Sequence, residues 1–180
     1  MSNLRRAPAC GVRVFLGRLE HAGDSINNVV GRALSWFLPA MTVLTLVIII
    51  AATVFRLGWV WLHETVVYMH AILFMLAGAY TLKYNEHARI DVFYNRLSRQ
   101  GQAWVDLCGA VFLLIPTCML IFMVSWPYVA DSWAVLEHSV EGQGLPAVFL
   151  LKTCILLFAA LFMVQGIALA AKSLRSILPR

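Results

Sequence analysis

Charge is scarce in this 180-residue chain. Only 13% of its residues are Asp, Glu, Lys or Arg, about half the share of a soluble domain, while 61% are apolar. A fold in water would lack the polar surface to cover such a core, so the composition excludes a soluble globular enzyme and a disordered chain and points to the membrane. Catalytic signatures are missing too: there is no HExxH, no GxSxG, no Walker-type GxxxxGK and no metal-spaced set of Cys and His. The four cysteines include no CxxC pair; Cys108, Cys118 and Cys154 fall in apolar stretches and read as small buried residues, with Cys10 near the N-terminus. Charges interrupt Met1 to Arg18, so a cleavable signal peptide is not expected. Enzymatic activity has no motif to rest on.

What the chain has is long apolar runs. A hydrocarbon core about 30 Å thick takes roughly 20 apolar residues as a helix. Leu34 to Phe55 and Leu107 to Ala130 carry no charge, Leu145 to Ala171 carries only Lys152, and Thr65 to Leu82 contains His70. In lipid each backbone amide must be satisfied within its own segment, so these runs are helices. The expectation is an all-α membrane protein with four spans, about 34–56, 60–82, 103–129 and 145–170. An N-terminal segment 1–33 precedes the membrane domain 34–171, and a tail 172–180 follows it.

Lys and Arg outside the spans number 5, 1, 4, 0 and 3 from the N-terminal segment to the tail. By the positive-inside rule both termini are cytoplasmic. The net charge of +5 is then a topology signal. No basic-aromatic cluster accompanies it, so a nucleic-acid partner is not expected. Ile26, Val29, Val30, Ala33 and Phe37 recur at helical spacing, with Asp24, Asn27, Asn28 and Arg32 largely elsewhere on the wheel. That pattern suits an amphipathic helix on the inner membrane surface, or a continuation of span one. Trp59, Trp61, Trp126, Tyr128 and Trp133 mark an outer aromatic belt. Pro146 should start span four from its first turn. Pro116 should kink span three or leave a carbonyl near Phe112 for a neighbour. No inverted pair of glycine-broken spans is present, which argues against transport by this chain alone.

Ionisable groups in or near the spans are functional candidates by default. Glu64, His70 and Lys152 qualify. Glu64 and Lys152 both belong to the outer shoulder, where they either pair or leave Lys152 to snorkel alone. A haem site would need axial ligands from different helices; His63 and His70 share one span, and the other spans have no histidine. The loop from Lys83 to Ser98 is the most distinctive stretch. Ile90, Phe93 and Leu97 share a helical face, Asp91 could cap a short helix, Ser98 could cap span three, and Arg89 and Arg96 suit lipid headgroups or a partner.

At this loop the chain resembles the DctQ-like small membrane subunits of tripartite ATP-independent periplasmic (TRAP) transporters. The matching residues are His87, Arg89, Ile90, Asp91, Arg96, Leu97 and Ser98, with further similarity at Glu64, Tyr80 to Lys83, Trp104 to Leu107, Ser125 to Ala130, Gly144 to Ala147 and Leu150 to Lys152. It extends over about 37–170 and departs from the usual pattern at Asn85-Glu86. The resemblance implies a non-catalytic accessory subunit in the bacterial inner membrane, bound to a large DctM-like membrane subunit. A periplasmic substrate-binding protein would deliver a small organic anion, and a sodium gradient would drive import through an elevator-type large subunit. It implies no cofactor on this chain, with sodium held by the large partner. Glu64, His87, Arg89, Asp91, Arg96 and Lys152 become candidates for bundle integrity or subunit contact. Gly78 and Gly166, each seven residues after an alanine (Ala71, Ala159), join them as close-packing positions. Membrane lipids are the remaining expected partner. The rival reading is a membrane-anchor subunit of a redox complex.

Overall fold

The computed structural model describes residues 7–84, 94 and 96–178. Among the described residues the elements are six α-helices and one π-helical turn: α1 (Ala7–Ser35), α2 (Phe37–Val54), α3 (Val60–Lys83), α4 (Arg99–Cys108), the π turn (Gly109–Leu114), α5 (Ile115–Ala134) and α6 (Val148–Ile177). Four helical stretches are long and apolar enough to cross a membrane: Arg13–Val54, Val60–Lys83, Arg99–Ala134 and Val148–Ile177.

Proline chemistry sets the helix breaks. Pro39 has no N–H to offer the Ser35 carbonyl, and α1 gives way to α2 at Trp36. The ladder resumes when the Ala40 N–H reaches the Trp36 carbonyl at 3.3 Å. Pro116, expected to kink the span or to leave a carbonyl near Phe112 for a neighbour, follows an irregular turn. The turn before it widens into the π geometry, and the Ile115 N–H bonds back to the Ala110 carbonyl, five residues earlier. That widening absorbs a ring that would otherwise meet the carbonyl four residues back. Pro146 lies outside α6 and not in its first turn: Ala147 is the N-cap, and its carbonyl receives the Leu150 and Leu151 N–H groups at 3.1 and 3.2 Å. Ser98 caps α4 as its side chain suggests, accepting from the Gly101 N–H at 3.2 Å.

α6 is the central element. It packs against α1, α3, α4, the π turn and α5, while α2 packs on α3 and touches α1. Among the described residues α2 makes no substantial contact with α5 or α6. The spans therefore lie in the order α2, α3, α6, α5, an open array instead of a closed four-helix bundle. Small residues let backbones approach α6 closely in the manner of membrane helices: Ala159, Gly166, Ala168 and Ala171 are all buried. At 30 residues α6 is about 45 Å long, exceeding the hydrocarbon thickness. Its surplus turns meet α1.

α1 has three faces. Leu16, Gly23, Asn27, Gly31 and Leu34 are buried in the protein. Phe15, Ala22, Ile26, Val29 and Ala33 form an exposed apolar stripe, and Arg18, His21, Ser25 and Arg32 an exposed polar one. The expected two-sided helix is thus corrected. Its apolar stripe is free for lipid, but one of its expected outward polar residues, Asn27, turns inward because a partner amide on α6 awaits it.

Candidate functional site

The end of the array where α3 begins and α5 finishes holds a polar clasp around residues 135–147. Leu136 adopts a positive φ of 45°, turning the chain sharply after α5. Glu64, in the second turn of α3, then receives two donors from this loop. The Ser139 hydroxyl donates to Oε1, and the Leu145 N–H donates to Oε2 at 2.5 Å. Ser139 and Leu145 are themselves joined, N–H to carbonyl, at 3.3 Å. Gly144 closes the loop because nothing larger fits: a Cβ there would sit 2.3 Å from Ser139 Oγ and 2.6 Å from Glu64 Oε1.

The other half of the clasp is ionic. Lys152 Nζ lies 2.5 Å from Glu137 Oε2 and 4.1 Å from the centre of the Tyr128 ring, a cation–π distance. The Ser132 hydroxyl donates to the same carboxylate at 2.6 Å. The Lys152 ammonium, followed by Ser132, holds the Glu137 carboxyl below its ordinary value. Beside them Trp133 Nε1 donates to Thr153 Oγ1 at 2.9 Å, and its ring meets Phe149 edge-on at 4.7 Å. So neither alternative for Lys152 holds: it does not pair with Glu64, and it does not stand alone. Glu64 binds loop donors, and Lys152 binds a loop carboxylate. Glu137 was the partner that sequence reasoning missed, although a loop with Asp131, Glu137 and Glu141 and no Lys or Arg pointed toward it.

At the opposite end a buried polar knot joins α1 to α6. Asn27, fully buried, donates to Gln165 Oε1 at 2.7 Å and to the Gly23 carbonyl at 3.3 Å. Gln165 Nε2 donates to Asp24 Oδ1 at 3.1 Å. α3 joins in, as the Tyr84 hydroxyl pairs with Asn28 Oδ1 at 3.1 Å and Lys83 Nζ reaches the Asp24 carbonyl at 3.4 Å. The signal was present but unread: Gln165 is the only amide side chain in its span.

The remaining sequence candidates divide. Gly78 accommodates Phe162 of α6, whose ring lies 2.8 Å from where a Cβ would stand, and Gly166 accommodates Leu114 and Ile115 at 3.0 and 3.2 Å. Both glycines therefore serve packing within this chain. Arg96 is exposed at the turn before α4. His87, Arg89 and Asp91 lie outside the described residues. His70 is exposed on α3, stacked on Phe74 with ring centres 6.4 Å apart.

Both polar clusters tie helices to one another. A family model described as the DctQ component of tripartite ATP-independent periplasmic transporters matches residues 41–176, from within α2 to the last turn of α6. No curated protein and no solved structure compared with the chain matches it. With the match covering well over half the sequence and reaching into all four spans, this chain belongs to the DctQ component family of the TRAP transporters, as an inner-membrane transport component and not an enzyme.

Proposed function

We propose that this chain is a static brace for the large, elevator-type membrane subunit of a sodium-coupled TRAP transporter that imports a small organic anion, such as a carboxylate, handed over by a periplasmic binding protein. The observation that carries the reading is the open helix order α2, α3, α6, α5. It leaves broad apolar surface on the flanking helices, including Val43, Leu46 and Ile50 on α2 and Leu120 and Val124 on α5. A brace needs such lateral surface for a neighbour or for lipid, together with polar ties at both ends that hold its depth and shape. The clasp at Glu64, Glu137 and Lys152 and the knot at Asn27 and Gln165 supply those ties. Substrate and sodium are assigned to the large subunit.

Affinity purification from native membranes should recover one larger polytopic protein with this chain. Sodium-dependent uptake of an organic anion into liposomes should require both membrane proteins and the binding protein. Uptake by this chain alone, or its purification without any larger membrane protein, would refute the brace.

A further inference from the structure

α1, the start of α4 and the end of α6 enclose an open cavity of about 780 Å³. Among the described residues Arg13, Arg99, Lys172 and Arg175 line it, against a single carboxylate, Glu20. Glu20 is already paired with Arg175 at 3.2 Å. Arg13 donates from Nη2 to the Leu178 carbonyl at 2.9 Å, but its Nε is buried without an acceptor. Neither Arg99 nor Lys172 has an ion-pair partner among the described residues. The first turn of α4, capped by Ser98, opens on the same cavity and adds the positive end of a helix dipole.

Four cations in one hollow repel each other, and a buried donor without an acceptor has lost its hydration for nothing in return. An anion in the hollow relieves that repulsion. Its depth is indicated by α1, whose exposed apolar stripe of Phe15, Ala22, Ile26 and Val29 suits the acyl boundary of a bilayer. A cavity beside that stripe lies at headgroup level, and its volume exceeds what a bare inorganic anion needs. Arginine forks match phosphate oxygens in pairs, and lysine adds a point charge.

We infer that this basic cavity is a binding site for a phosphate ester, supplied by the headgroup of an anionic phospholipid. The positive-inside orientation would place it on the cytoplasmic leaflet, where basic pockets between membrane helices take such headgroups. The site is independent of the proposed bracing role.

The test uses the full-length chain in an uncharged detergent, mixed with phosphatidylcholine alone or with phosphatidylglycerol or cardiolipin added, and reads retained lipid by native mass spectrometry. The unaltered chain should retain the anionic lipids over phosphatidylcholine by about tenfold or more, as two or more basic contacts imply. Arg99→Gln with Lys172→Gln should remove that preference, while Arg32→Gln with Arg56→Gln, which deletes the same charge elsewhere, should keep it. Retention that withstands millimolar inorganic phosphate supports the lipid source, and displacement by it supports a soluble phosphate ester at the same cavity. The inference fails if phosphatidylcholine is retained as well as the anionic lipids and inorganic phosphate does not bind. It fails also if the Arg99/Lys172 variant retains anionic lipid as the unaltered chain does. The first comparison needs no variant, so a misfolded substitution cannot obscure it.

Discussion

Asn27 and Gln165, 138 residues apart, share a hydrogen bond of 2.7 Å inside the protein, so that the amphipathic N-terminal helix is fastened to the central span. Removing Asn27 leaves Gln165 Oε1 inside the protein without its donor. Asn27→Leu should lower stability by about 1–3 kcal/mol, measured as thermal unfolding in detergent. Combining Asn27→Ala with Gln165→Ala should cost less than the two single changes added together, because the bond can be lost only once.

The clasp should behave as two separate halves. In a double-mutant cycle, Glu64→Ala and Lys152→Ala should add, since no shared bond links them. Glu137→Ala and Lys152→Ala should couple. A strong coupling of Glu64 with Lys152 would mean that the 135–147 loop transmits the loss of one tie to the other.

Acid should loosen the same region. Glu137 has its pKa lowered by the Lys152 ammonium and the Ser132 hydroxyl. Its contribution to stability is therefore complete above the ordinary glutamate pKa of about 4.3 and is lost as pH falls through the lowered folded value. Melting temperature followed from neutral pH downward should drop across that window. Glu137→Gln should start less stable and show a shallower fall.

The glycines separate by surroundings. Gly78→Leu should destabilise the chain by about 1–3 kcal/mol through overpacking against Phe162, and Phe162→Ala in the same chain should restore part of the loss. At Gly109 nothing lies within 4 Å of a new Cβ. Gly109→Ala should thus be neutral or slightly stabilising, with unfolding temperature as the readout.

Removing the α4 cap is a smaller perturbation. Ser98→Ala should cost about 1 kcal/mol, and Ser98→Asp should retain the cap, as both variants can show by thermal unfolding in detergent.

Local chemistry made much of this molecule legible. Four apolar runs in lipid can only be helices, because no water is present to satisfy a free amide; hence the all-α class followed from hydropathy. Ser98 as a cap was likewise readable, since its bond reaches only three residues along the chain. The DctQ resemblance lay in residues adjacent in sequence. At Pro116 the position of the irregularity was readable but not its form, because a π turn and a kink both accommodate the missing N–H.

Partners far apart in sequence were decided only when the helices came together. Lys152 met Glu137 and not Glu64 because the 135–147 loop folds back between them. Asn27 went inward because α6 offers Gln165 at the matching height. The order α2, α3, α6, α5 was equally invisible, for hydropathy says that a helix is in the membrane but not which neighbour it touches. In lipid, apolar side chains gain little by choosing one apolar surface over another. Close fit at small residues and a few hydrogen bonds make that choice, and both exist only in three dimensions.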